Sequence, residues 1–180
     1  IYRALYHVKV NVVRNVPEIR ENPVTVSRSE LGLPDDKRII LLQGAYIDPD
    51  RGGMELACSM EYVENALLLI IGSGRDLPNI QSTIVKLGLS ERVLFLPKMS
   101  FHQLQRYTAV ADVGVSLDKP LHLNYAYSLP NKLFDYIHAG LPVLVSDLPE
   151  IRRVVQHYDI GCIVSEVQPR SIADALLGML

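Results

Sequence analysis

A chain of 180 residues with 48% apolar and 21% charged side chains is long enough to enclose one sizeable core and too apolar to be disordered. Its net charge of −2 supplies no global positive field, which excludes recruitment to nucleic acid or an anionic membrane by bulk charge alone. No apolar run approaches the roughly 20 residues of a spanning helix, so no transmembrane segment is expected.

The opening stretch, IYRALYHVKVNVVRNVPEI, alternates instead of forming the solid apolar block of a signal peptide. It has no initiator methionine and reads as the middle of something longer. Through Val13 it is expected to form an additional strand or a crossing arm. Residues 20–37 read as a polar linker with a turn marked by Pro, Gly and Asp. Residues 1–37 are therefore assigned to an arm and 38–180 to one domain.

From Arg38 onward short apolar runs recur. RIILLQG (38–44), ALLLIIG (66–72), RVLFLP (92–97), ADVGVSL (111–117), PVLVSD (142–147) and IGCIVS (160–165) are near-continuously apolar, as strands buried on both faces should be. Helix-period stretches separate them, over about 52–63, 78–88, 100–109, 130–139, 148–156 and 169–180. This alternation predicts an α/β fold with a doubly wound parallel sheet, Rossmann-like. Cys58 and Cys162 sit in apolar surroundings without metal-ligand spacing. They read as buried, reduced thiols of a cytoplasmic protein.

In open parallel sheets ligands bind beyond the carboxyl ends of the strands, so the strand-to-helix turns are where chemistry is sought. After the first run comes GAYIDPDRGG (44–53), where Gly44 and Gly52 permit close backbone approach and Arg51 brings a fixed charge to a helix mouth. A solvated arginine on a flexible turn is the alternative. The turn IIGSGRDLPN offers Gly72 and Gly74, but the third glycine of a dinucleotide fingerprint falls on Leu77, which rejects nicotinamide binding. Gly74 and Arg75 face either the shared cleft or a simple tight turn. Leu96, Pro97 and Lys98 close the third run, where backbone groups are placed to read a base edge. Ser100 and Gln103 then form a capping box, and His102 falls on an exposed helix face.

The stretch SLPNKLFDYIHAGLPVLVSDLPE (128–150) carries the most chemistry. Pro130 suits a first helical turn, with Ser128 as a cap candidate. Asn131 and Lys132 follow, and a lysine there opposes the helix dipole unless an anion lies between them. Asp135 stands one helical turn from the mouth, about 6 Å along the axis, an offset that suits ribose hydroxyls beside a diphosphate. Leu133, Tyr136 and Ile137 form the packing face, and Gly140 ends the helix ahead of Pro142. The bland alternative is an exposed Lys132–Asp135 ion pair three residues apart.

Taken together, QGAYIDPDRGG, LLLIIGSG, RVLFLPKMSFHQLQRYTAVADVGVSL and LPNKLFDYIHAGLPVLVSDLPEIRRVV resemble the carboxyl-terminal domain of GT-B glycosyltransferases of the family 4 type, over residues 38 to 165. The resemblance implies a domain that binds a nucleotide-diphospho-sugar donor without a metal or other cofactor. A separate amino-terminal domain, absent from this chain, would bind the acceptor. By position, Arg51 and Lys132 match contacts to the diphosphate, and they are the expected catalytic groups. Asp135 stands where the family has the second glutamate of E-x7-E, the ribose binder. Gly44, Gly52, Gly74, Pro97, Pro130 and Asn131 complete the expected binding residues. Two departures are plain: the first glutamate falls on Tyr127, and Ala45 stands where many relatives carry an arginine.

These readings predict the donor-binding part of a glycosyltransferase that moves a hexosyl group from a UDP- or GDP-type donor to a glycan or lipid-linked acceptor, the fragment itself being expected to be inactive without its amino-terminal domain. The expected location is cytoplasmic, with peripheral membrane contact left to the absent half. A non-catalytic nucleotide-sugar or phospho-ligand module is the alternative. A phosphoacceptor signalling domain lacks its acidic cluster, and a hydrolase lacks a nucleophile–base pair.

Overall fold

The apolar runs become six strands because each can bury both faces only with helices on either side. The computed structural model describes residues 2–11, 13 and 24–180. After a short helix α1 (Tyr2–Tyr6), the chain runs β1 (Arg38–Gly44), α2 (Gly53–Ser59), β2 (Ala66–Gly72), α3 (Leu77–Lys86), β3 (Val93–Pro97) and α4 (Phe101–Val110). It continues with β4 (Val113–Ser116), α5 (Leu123–Ala126), α6 (Asn131–His138), β5 (Val143–Ser146), α7 (Pro149–Tyr158), β6 (Gly161–Val164) and α8 (Pro169–Met179). All strand pairs are parallel, in the order β3-β2-β1-β4-β5-β6. This is the doubly wound, Rossmann-like topology that the alternating pattern predicts.

Successive strand residues serve opposite layers. Ile40, Leu42, Leu68 and Ile70 join the core under α2, α3 and α8, whereas Ile39, Leu41, Leu67 and Leu69 join the core under α6 and α7. Tyr136 on α6 is fully buried in the second layer. Its ring lies on Gly114 of β4, where an added Cβ would come within 2.4 Å of the ring.

That packing sits where the sheet order reverses. The β1–β4 ladder consists of Ile40 opposite Val113 and Leu41 opposite Gly114, while β1 remains paired with β2 as far as Gly44. The Tyr136 hydroxyl bridges the widening gap. It accepts from the Gln43 amide at 3.3 Å and donates toward the carbonyls of Leu41 and Val115, each at 3.3 Å. Burial pushes the phenol well above its ordinary range, so it remains a donor. Directly beyond this gap, at the carboxyl ends of the strands, a cleft opens.

Four expectations are corrected here. Tyr2–Tyr6 is helical, which corrects the strand alternative; residues 12 and 14–23 of the expected arm and linker lie outside the described residues. Residues 24–37 are more than a polar linker. Leu33 is buried in the second core, and Arg28 bonds the carbonyls of Val110 and Lys37 and pairs with Asp112 at 2.6 Å. The helix after β1 ends at Ser59, four residues short of the expected 63, because the chain tightens into turns that bury Val63. The cysteines are not buried: Cys58 is half-buried, and Cys162 is exposed on the edge strand β6.

Candidate functional site

The cleft has a volume of about 680 Å³, within the range of small-molecule sites. It is lined by Gln43 and Gly44 at the end of β1, Gly72 at the end of β2, Lys98 beyond β3, Arg51, Tyr125 and the first turn of α6. Two clusters of polar side chains stand out in it.

The first is cationic. Arg51 ends a 3-10 turn, Pro49–Arg51, and its Nη1 lies 2.8 Å from Oδ2 of Asp118. Lys132, at the second position of α6, places Nζ 3.6 Å from Oδ1 of the same carboxylate. Asp118 follows β4 and is fully buried. It is fixed from below, since Ser146 donates to its carbonyl at 2.6 Å and the next amide, Lys119, donates to Asp50 at 2.8 Å. Arg51 and Lys132 therefore share one carboxylate at the cleft. Burial pushes the Lys132 ammonium below the ordinary lysine range; Asp118 opposes that shift and Arg51 adds to it. The Arg51 guanidinium also lies over the Tyr125 ring, 4.2 Å from its centroid.

The second cluster is anionic. Oδ2 of Asp135 accepts from the Gln43 side-chain amide at 2.9 Å, and the Gln43 carbonyl oxygen accepts from Thr108 of α4 at 3.0 Å. Gln43 is only 2% exposed. A carboxylate can only accept, so the Gln43 amino group must face Asp135, and the Thr108 hydroxyl fits the other end.

Both clusters draw a residue from α6. Its N-cap is Pro130, in extended conformation, and no side chain caps the helix. A lysine at the positive end of a helix dipole is unfavourable by itself, which is the oddity the sequence raises. The pairing with Asp118 accounts for part of it.

A family model described as "Glycosyl transferases group 1" matches residues 38–180. This chain belongs to that family. It is 29% identical over 161 residues to a phosphatidyl-myo-inositol mannosyltransferase of Mycobacterium leprae, covering 83% of this chain and 39% of that protein. It is 28% identical over 151 residues to an uncharacterised glycosyltransferase of Methanocaldococcus jannaschii, covering 81% and 36%. The chain thus spans well under half the length of these curated relatives. Among solved structures, sucrose-phosphate synthase of Thermosynechococcus elongatus shares the fold with a TM-score of 0.74 at 22% identity, covering 98% of this chain and 45% of that one. The Anabaena protein HepE, solved in complex with UDP-glucose, gives 0.66 at 16% identity, covering 84% and 41%. Both overlays match the Rossmann-like sheet described above.

Within this group 1 glycosyltransferase domain, Gly44, Arg51, Pro130, Asn131, Lys132 and Asp135 all line the cleft. Gly52, Gly74 and Pro97 are not among its lining residues. Gly52 has a φ of +68°, and a Cβ there would lie 2.5 Å from the Leu117 carbonyl oxygen, so it supports Arg51 from behind. A Cβ on Gly74 would lie 2.1 Å from the Ile47 carbonyl oxygen, which makes it a close-packing glycine. Pro97 ends β3, and the cleft wall begins one residue later at Lys98.

Other expectations sort as follows. Arg75 is 83% exposed and paired with Asp48 at 3.1 Å, where the guanidinium holds that carboxyl below its ordinary range. The Ser100–Gln103 capping box is present and His102 is exposed. Helix α6 begins at Asn131, one residue later than expected, and Ser128 donates to Tyr125 instead of capping it. Lys132 and Asp135 are not a solvated surface pair, since the Lys132 side chain is 13% exposed and directed at Asp118. Tyr127, the substitute for the missing glutamate, is exposed and absent from the cleft lining.

Sequence reasoning missed Asp118, Gln43 and Thr108. A signal existed for two of them: each is a polar side chain at the carboxyl end of an apolar run, in IILLQ and DVGVSLD. Thr108, inside an amphipathic helix, gave none. Among the described residues no grouping of three or more His, Cys, Asp or Glu side chains is placed to hold a metal ion. Nor is any helix among them long and apolar enough to cross a membrane.

Proposed function

We propose that this domain holds the donor of a glycosyl transfer reaction, a UDP- or GDP-linked hexose, with its diphosphate against Arg51, Lys132 and the mouth of α6. The observation that carries the reading is the convergence of two cations and an uncapped helix N-terminus at the switch-point cleft. Asp135, three residues along the same helix, then faces the ribose. The solved Anabaena relative bound to UDP-glucose supports a uridine nucleotide as the first donor to try.

In the transfer step the bond between the sugar's anomeric carbon and the diphosphate oxygen breaks, and negative charge grows on the departing diphosphate. Fixed cations and helix amides that strengthen their hold as that charge grows lower the barrier. Arg51 and Lys132 do this in our reading with no metal required. A separate domain completes the site and brings a glycan or lipid-linked acceptor. The mannosyltransferase relative, named for a phosphatidylinositol substrate, is consistent with the lipid-linked class. We assign the enzyme to the cytoplasm, with any peripheral membrane contact made by the acceptor half.

Ala45 and Tyr127, which replace a family arginine and glutamate, favour a second reading in which the domain binds a nucleotide sugar without turning it over. Activity of the full-length protein against point variants in this cleft separates the two. For binding itself, an NMR titration with UDP and GDP should shift the amides of residues 51–53 and 131–133 first. Shifts confined to other faces of the sheet would remove the proposal.

A further inference from the structure

Asp118 plays no part in the donor reading above, yet it is the fully buried group on which both cations depend. Its Oδ1 accepts no hydrogen bond among the described residues; what faces it is the Lys132 ammonium at 3.6 Å. A buried carboxylate with an unfilled oxygen is costly unless a charge offsets it. The cost is mutual, because Lys132 is itself buried and has Arg51 for a neighbour.

We infer that Asp118 is a positioning residue: one carboxylate oxygen faces the Lys132 ammonium and favours its charged form, and the other holds Arg51 beside the cleft. The inference rests on the donor reading only for its consequence, which is that the diphosphate meets a preformed pair of cations. The groups that bear on Lys132 are few. Asp118 comes from the end of β4 and Arg51 from the Pro49–Arg51 turn, with the Tyr125 ring of α5 against the guanidinium. On its own helix Asp135 is bonded to Gln43, and the Tyr136 phenol is held protonated by burial. Removing the Asp118 charge therefore leaves Lys132 with burial and Arg51 acting in the same direction, both against the ammonium form.

The direct test follows the Lys132 side chain in lysine-labelled protein by NMR across pH, in wild type and in Asp118→Asn. The expected result is a lower titration midpoint in the variant, and an unchanged midpoint overturns the inference. A second readout is UDP affinity. In Asp118→Asn it should fall on the order of tenfold and fall further as pH rises and Lys132 loses its proton, with uridine affinity constant, and Lys132→Arg in the same background should remove that pH dependence. Persistence of the pH dependence with arginine would count against Lys132 as its source. Should Asp118→Asn fail to fold, Asp118→Asn with Lys132→Met decides: regained folding supports a stranded ammonium as the cause, and continued unfolding makes Asp118 merely structural. A wild type that binds no UDP while its Lys132 midpoint still falls in the variant would retire the donor reading and leave this inference standing.

Discussion

Two side-chain clusters of the cleft, both drawing a residue from α6, are held in place in different ways. In one, two cations are held by a buried acid, so the charge they present is partly cancelled before any ligand arrives. In the other, Asp135 accepts from the neutral side-chain amide of Gln43, whose carbonyl oxygen accepts from the Thr108 hydroxyl. A neutral support orients a charge without opposing it; a charged support sets protonation as well as position. The Arg51–Lys132–Asp118 cluster should therefore respond to pH and salt.

The comparison breaks hardest at Lys132. Lys132→Ala should weaken UDP binding by about a hundredfold, the worth of a charge-assisted contact in a partly desolvated site, and leave uridine nearly unaffected by calorimetry. Equal losses for both ligands would remove the phosphate role. Next comes Asp135→Asn, which should lower the preference for ribonucleotides over deoxyribonucleotides by about tenfold. An unchanged preference would detach Asp135 from the ribose.

Smaller effects sharpen the account of the supports. Tyr136→Phe leaves the Gln43 amide without its bridging partner and should cost about 1–2 kcal/mol in urea denaturation. It also carries a pH signature. The folded state holds the phenol proton and the unfolded chain releases it near the ordinary value of about 10, so above that point the unfolded state binds fewer protons. Stability conferred by the buried phenol is thus complete below that pH and declines as pH rises. The decline should be shallower in Tyr136→Phe; an identical alkaline slope would contradict the burial argument. Least of all, Thr108→Val should cost about 1 kcal/mol and loosen the ribose preference only slightly, because Gln43 still reaches Asp135.

Much of the fold was legible because buried parallel strands write themselves as solid apolar runs. What failed did so for physical reasons. The arm around Arg28 looks polar in sequence because its anchoring is done by a guanidinium bonding carbonyls at the amino ends of the strands, a contact no local pattern encodes. Cys162 looks buried because its run is apolar, but β6 is an edge strand and one neighbour is missing. At the site, Lys132 was conspicuous as a lysine at the wrong end of a helix dipole. Asp118 was not, since it acts from 14 positions away through the sheet's reversal point, and only the strand order brings them together.

The central claim is that a diphosphate rests between Arg51, Lys132 and the mouth of α6. Calorimetry of UDP, UMP and uridine against the wild-type domain measures it most directly. Affinity should climb steeply from uridine through UMP to UDP, and that climb should flatten in the Arg51→Ala and Lys132→Ala proteins. Equal affinity for all three in the wild type would contradict it.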